Sequence, residues 1–179
     1  GAQAACVMAS GMAAVFGSIM CQIKSGDHVL ANKVLFGSCY HILANILPNY
    51  GVEVDFIDAA DNNAWEKSFK QNTKVVFLES PANPNLELAD ISHIANLCKA
   101  NNSFLIVDNI FATPLCQSPL ELGADAVIYS TTKHMDGQGR TLGGAVIGSE
   151  NFIKETLLPF HRHTGPALSP FNAWIVTTS

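Results

Sequence analysis

Lys133 stands among hydroxyls in Tyr129-Ser130-Thr131-Thr132-Lys133-His134, just after the apolar run Ala124-Asp125-Ala126-Val127-Ile128. That order predicts a short buried strand with Lys133 in the turn beyond its carboxyl end, where open α/β sheets bind ligands. A lysine partly withdrawn from water can lose its proton near neutrality, and its amine then serves as a nucleophile toward carbonyl groups and as a proton carrier. Ser130 and Thr132 add hydroxyl donors suited to an anion. Taken alone, the segment also reads as a solvated loop with one lysine. A second apolar run, Phe104-Leu105-Ile106-Val107, ends in Asp108-Asn109. If both strands belong to one parallel sheet, the Asp108 carboxylate and the Lys133 amine face the same crevice. The competing reading of Asp108 is a cap on the following turn.

Pyridoxal phosphate calls for this pairing, because a carboxylate facing the ring nitrogen keeps the pyridine protonated and electron-withdrawing. Five motifs occur in order along the chain: Ser10-Gly11-Met12, Glu79-Ser80-Pro81-Ala82-Asn83-Pro84-Asn85, Val107-Asp108-Asn109, Ser130-Thr131-Thr132-Lys133 and Asp136-Gly137-Gln138-Gly139-Arg140-Thr141-Leu142-Gly143-Gly144. Together they resemble the Cys/Met metabolism family of pyridoxal-phosphate enzymes over the whole chain. The run Asp136–Arg140 and the later Gly165–Trp174 are most similar to the branch that acts on O-succinylhomoserine with sulfide.

The resemblance implies a three-layer α/β/α sandwich with a mostly parallel sheet. It places the cofactor, pyridoxal phosphate, on Lys133, with Asp108 at the ring nitrogen and Lys133 and Asp108 as the catalytic pair. Ser10, Gly11, Met12, Ser130 and Thr132 are expected at the phosphate, Phe36 stacked on the ring, and Asn83 at its phenolic oxygen. Many relatives carry tyrosine where this chain has Phe36, so the stacking face is kept without a phenol. His134-Met135 replaces the more usual Tyr-Leu after the lysine. Residues 1–165 are expected to form the cofactor-binding large domain and 166–179 to begin the helix toward a C-terminal domain outside this chain. The family's N-terminal segment, which reaches a neighbouring subunit's phosphate, would likewise precede residue 1.

The implied reaction is replacement at Cγ of an activated homoserine ester, O-succinyl or O-acetyl, by sulfide to give homocysteine in methionine biosynthesis. Cystathionine γ-synthase or methionine γ-lyase chemistry, or an inactive fragment of such an enzyme, are the alternatives. The expected partners are the amino-acid ester and a sulfide or thiol, in a cytoplasmic homodimer or homotetramer.

Composition is compatible with this. Hydrophobic residues make up 48% and charged residues only 14% of 179 residues, as in a compact α/β body with much buried strand. The net charge is −5 without a basic patch, which argues against nucleic acid, and no apolar run is long enough to span a bilayer. The five cysteines, Cys6, Cys21, Cys39, Cys98 and Cys116, show no Cys-x-x-Cys pair and read as reduced thiols. His161 and His163 lack companion ligands, so no metal is expected. Gly137-Gln138-Gly139 is followed by Gly143, which does not meet the dinucleotide fingerprint.

The elements that must position these residues alternate along the chain. Helices are expected over 10–24, 36–50, about 58–70, 90–101 and 150–162, and a last one from Phe171 onward. Strands are expected over 27–33, 52–57, 74–78, 104–107, 124–128 and 143–148, while Gly1–Ala9 is small and apolar without a strand assignment. Repeated strand-helix alternation predicts a largely parallel sheet covered on both faces.

Overall fold

The computed structural model describes residues 1–179. Its strands are β1 (Ala4–Met8), β2 (His28–Asn32), β3 (Glu53–Ile57), β4 (Thr73–Glu79), β5 (Phe104–Asp108), β6 (Ala126–Ser130) and β7 (Gly144–Gly148). All belong to one sheet in the order β1-β7-β6-β5-β4-β2-β3. From β3 to β6 every neighbouring pair is parallel, the arrangement that the strand-helix alternation predicts. β7 runs antiparallel to β6 and to β1. The β6–β7 connection, 131–143, contains no crossover helix, and it returns to the sheet where it left, with Ser130 opposite Gly144. The whole lysine loop therefore lies over the carboxyl end of β6.

β1 is an element that the sequence did not announce. Only Cys6 and Met8 of it are buried, and its alanines carry little strand signal.

Alternate side chains of the central strands feed two apolar cores. Val75, Phe77, Ile106 and Ile128 belong to one face, and Val76, Leu78, Leu105 and Val127 to the other. Helix α1 (Gly11–Met20) covers the first face through Ala14, Val15 and Ile19. Helices α3 (Asn62–Ser68) and α4 (Ile91–Ala100) cover the second through Trp65, Ile91, Ile94 and Ala95. The result is a three-layer α/β/α sandwich. Asp61 and Asp90 cap α3 and α4 by accepting N–H bonds from Ala64 and His93.

Three helices differ from their expected form. α1 ends at Met20 rather than Lys24, because the Asp27 carboxylate accepts the Lys24 N–H at 2.8 Å and pulls the following residues into a turn. The segment expected as one helix over 36–50 is α2 (Gly37–His41), then a π-helical turn Ile42–Ile46 and a 3₁₀ turn Leu47–Tyr50. Pro48 supplies no N–H to an α-helical ladder there. Pro159 acts similarly near the C-terminal end: a π-helical stretch Phe152–Leu157 precedes α5 (Leu158–Thr164). The last element, α6 (Pro170–Thr177), is capped by the Ser169 hydroxyl, which accepts the Asn172 N–H at 3.1 Å. No helix is long and apolar enough to cross a membrane.

Candidate active site

The carboxyl ends of β4, β5 and β6 and the start of α1 converge on a cavity of about 560 Å³. Ser10, Gly11 and Met12 line it from the helix start, Phe36 and Asn83 from two loops, and Asp108, Ser130, Thr132 and Lys133 from the strand ends. Every residue singled out from the sequence thus lies on one wall system. The reason is topological: parallel strands deliver their carboxyl-terminal residues to the same edge, and the antiparallel β1 and β7 bring Met8 and Gly144 to that edge too.

At the helix start, the Ser10 hydroxyl accepts the Ala13 N–H at 3.1 Å and so caps α1. The cap leaves the hydroxyl proton free to donate, and Gly11 and Met12, as the first two helical residues, keep N–H groups without intrahelical acceptors. Glycine at position 11 has a steric reason. A Cβ there would lie 2.8 Å from the Ser130 Cβ, so only glycine lets α1 touch the end of β6. The cavity therefore gathers free N–H groups, a helix dipole and two serine hydroxyls at one place, the makings of an anion site. Thr132 is less free: its Oγ1 accepts the Gly143 N–H at 3.1 Å and donates to the Gly143 carbonyl at 3.4 Å. The second contact is long, which leaves that proton available to a better acceptor.

Lys133 lies in the π-helical turn Thr131–Met135, with non-helical φ −90° and ψ −110°. The partial withdrawal from water expected of it is not seen; the side chain is exposed to the cavity mouth, because the loop beyond it is glycine-rich and does not cover it. That loop is held by one ion pair. Asp136, 2% exposed, accepts the Arg140 backbone N–H at 2.6 Å and the guanidinium Nε and NH2 groups at 2.9 Å each. Burial pushes the Asp136 carboxyl up, and the Arg140 N–H and guanidinium outweigh it and hold the group below its usual range. Gly137 and Gly139, both at positive φ, make the tight path between the two ends of this clasp and line the cavity.

Asp108 is 3% exposed. Its Oδ1 accepts the Ile110 N–H at 3.0 Å, the turn-capping bond anticipated for it, and no donor of the chain reaches Oδ2. Burial pushes its carboxyl up to about 7, with the neighbouring Glu79 adding to the rise and the Ile110 N–H opposing it. Beneath it, Asn109 donates to the Tyr129 hydroxyl at 2.9 Å, and Gln117 donates to Asn109 Oδ1 and to the Ser80 carbonyl, each at 2.7 Å. This buried network fixes the turn after β5.

Glu79 opens the motif Glu79–Asn85, and its residue type and spacing alone assign it no role. It pairs in register with Asp108 on the adjacent strand, is buried and lines the cavity. Its carboxylate accepts the Phe36 N–H at 2.6 Å and the Asn83 N–H at 3.0 Å. Burial raises its pKa, and these two bonds oppose the rise. The partners lie 43 and 4 residues away, and only the strand-end position of Glu79 could have hinted at them. Phe36 itself is 44% exposed, which removes core packing as an account of its ring. The Asn83 carboxamide makes no bond within the chain.

The whole chain was compared with known proteins. The family model described as "Cys/Met metabolism PLP-dependent enzyme" matches residues 1–178. An O-succinylhomoserine sulfhydrylase of Mycobacterium tuberculosis is 47% identical over 98% of this chain and 43% of that protein. An L-methionine gamma-lyase of Porphyromonas gingivalis is 39% identical over 99% of this chain and 45% of that protein. Among solved structures, that of metB from Corynebacterium glutamicum superposes with a TM-score of 0.96 at 34% identity, covering 99% of this chain and 46% of that one. The chain thus spans less than half the length of these relatives. Matched from residue 1 to residue 178 and carrying the lysine and the strand-end aspartate on one cavity, this chain belongs to the Cys/Met metabolism family of pyridoxal-phosphate-dependent enzymes.

Proposed function

We propose that the protein containing this chain replaces the acyloxy group at Cγ of an activated homoserine ester with sulfide, breaking the Cγ–O bond to release the carboxylate and giving homocysteine. The observation that carries the reading is the meeting of Lys133 and Asp108 on one cavity at the ends of adjacent strands. The 47% identity to O-succinylhomoserine sulfhydrylases, against 39% to a methionine gamma-lyase, favours replacement over elimination.

Pyridoxal phosphate fits these residues. A buried carboxylate with one oxygen lacking any protein donor suits a protonated ring nitrogen. The close approach allowed by Gly11 and the unpaired N–H groups of α1 suit a phosphate. Lys133 would hold the cofactor through Nζ, Asp108 at the ring nitrogen, Phe36 against the ring face and Asn83 at the phenolic oxygen. Ser10, Gly11, Met12, Ser130 and Thr132 would hold the phosphate. When bound, the cofactor supplies an electron sink for charge that develops at the substrate Cα. Asp108 keeps the ring-nitrogen proton in place during that change. The Lys133 amine takes the proton from Cα and returns it at the end of the reaction. The phosphate donors and the Phe36 ring keep the reacting atoms aligned.

We read residues 1–165 as the cofactor domain and 166–179 as the start of a helix toward a further domain. We assign the whole protein to the cytoplasm as a homodimer or homotetramer, and expect this chain by itself to turn over weakly or not at all. The test supplies the full-length protein with O-succinylhomoserine, O-acetylhomoserine and sulfide and quantifies homocysteine. Release of a 2-oxo acid and ammonia in place of homocysteine would reassign the site to elimination. Absence of any cofactor mass on Lys133 after borohydride reduction would reject the reading.

A further inference from the structure

We propose that Glu79 is a positioning residue of this site, its carboxylate tying the backbones of Phe36 and Asn83 together across the cavity; the inference rests on the cofactor reading of the same cavity. The two residues come from different loops, one at the head of α2 and one between Pro81 and Pro84. Glu79 reaches both with one group, Oε2 to the Phe36 N–H at 2.6 Å and Oε1 to the Asn83 N–H at 3.0 Å. A carboxylate is required for that arrangement, since each N–H needs its own acceptor oxygen and an amide side chain offers only one.

Neither side chain has another restraint. Phe36 is 44% exposed, no side chain caps α2 at Phe36, and the Asn83 carboxamide forms no bond within the chain. Their positions therefore depend on where the backbone is tethered. Glu79 is itself held from behind: Asn32, fully buried on β2, accepts the Glu79 N–H at 2.9 Å through Oδ1 and donates from Nδ2 to the Glu79 carbonyl at 3.1 Å. A clamp thus runs from β2 through β4 to both loops. A buried carboxylate beside Asp108 is an expensive way to satisfy two N–H groups if satisfying them were its only use. Its place in register with Asp108 gives the reason, because it references both loop residues to the strand end that carries the ring-nitrogen partner.

The experiment uses the full-length protein as wild type, Glu79→Gln and Glu79→Asp. Gln keeps the size and one acceptor; Asp keeps the charge and both oxygens but withdraws them by a methylene. The readouts are the dissociation constant for pyridoxal phosphate, the absorbance maximum and induced circular dichroism of the bound cofactor, and the thermal midpoint. Loss of the tether to one loop unfixes one cofactor contact and predicts a dissociation constant raised about tenfold in both variants. The bound-cofactor band should shift, the midpoint should fall by no more than about 4 °C, and attachment to Lys133 should persist. A Glu79→Gln protein with affinity within twofold of wild type and an unchanged band would overturn the inference. Failure of both variants to fold would also overturn it, by assigning Glu79 to the fold alone. A wild-type protein that takes up no cofactor on Lys133 would instead overturn the reading of the site on which the inference rests.

Discussion

At the amino ends of β2, β3 and β4, charges are matched. Lys70 lies 2.6 Å from Glu53 and 2.7 Å from Asp55, while buried His28 shares a 2.8 Å bond with the Thr73 hydroxyl and sits 3.3 Å from Asp55. At the carboxyl ends of β4 and β5, Glu79 and Asp108 lie side by side, buried, and neither enters an ion pair with the chain's own cations. The hydrogen bond from Lys70 holds Asp55 below its usual range, whereas burial drives Asp108 up to about 7. The difference teaches where to look for a ligand. An end whose carboxylates find a cation within the chain is complete as folded, and an end that retains buried carboxylates without one has a cation still to come.

Lys133→Ala should have the largest effect on this contrast. The side chain is exposed and makes no bond within the chain, so stability should change by less than about 0.5 kcal/mol. Covalent cofactor attachment should vanish, and turnover by the full-length protein should fall by about 10³-fold or more. A borohydride-stable cofactor mass remaining elsewhere in the variant would break the assignment of the unmatched end as the site.

Asp108→Asn comes next, because it should act with opposite signs on function and stability. The Asn oxygen still accepts the Ile110 N–H, but the partner for a protonated ring nitrogen is gone, so cofactor affinity should drop about 10- to 100-fold. The folded value of about 7 lies above the ordinary 3.8. The Asp108 contribution to stability is therefore fully present below pH 3.8 and is lost as pH rises through 7, amounting to about 4 kcal/mol. Cofactor-free Asp108→Asn should accordingly gain stability over wild type at pH 8 and lose the advantage at pH 4, measured by urea midpoints.

His28→Gln tests the matched end with the reverse sign. Burial lowers the His28 pKa, with Lys70 adding to the fall while Asp55 and Glu53 oppose it. A base depressed in the fold contributes stability above its ordinary value of 6.5 that is lost as pH falls through the folded value. His28→Gln should cost about 1 kcal/mol at pH 7, through the bond to Thr73, and flatten the acid side of the stability profile. Cofactor affinity should not move. The two ends thus pull the pH dependence in opposite directions, and the Asp108 and His28 variants separate them.

What the sequence made legible follows the same division. Asp108 ends one apolar run and Lys133 lies in the turn after another, so their meeting at one sheet edge was expected on the condition that both strands join one parallel sheet, in which β5 and β6 are in fact neighbours. Five parallel strands and the starts of α1 and α4 followed from alternation and from Ser10 and Asp90, whereas the Asp61 cap of α3 is one of several polar residues in 58–63 that could have begun that helix. β1 escaped because its small residues, Ala4 and Ala5 among them, give little strand signal, and the reversal of β7 escaped because the lysine loop, with no crossover helix in it, returns to the end it left. The role of Glu79 escaped for a different reason. Its partners are backbone N–H groups, which have no residue type to read, and one lies 43 residues away.

Lys70→Ala carries the smallest expected effect and sharpens the comparison most finely. Its ammonium is partly exposed, and pairs of that kind contribute little once solvent and side-chain entropy are counted. The thermal midpoint should fall by no more than about 4 °C, and the deficit should shrink at 1 M salt, where screening reaches about 3 Å. The variant also removes the positive charge that helps depress His28, leaving Asp55 and Glu53 to favour the imidazolium. The acid-side loss of stability should therefore be milder in Lys70→Ala than in wild type, although the protein is slightly weaker at pH 7. Titration of the His28 ring by NMR checks this directly: its pKa should rise in Lys70→Ala and stay put in Asp108→Asn. A His28 value that responded to Asp108 would mean that the two ends are electrostatically coupled through the sheet, and the separation between a completed end and a waiting one would no longer hold.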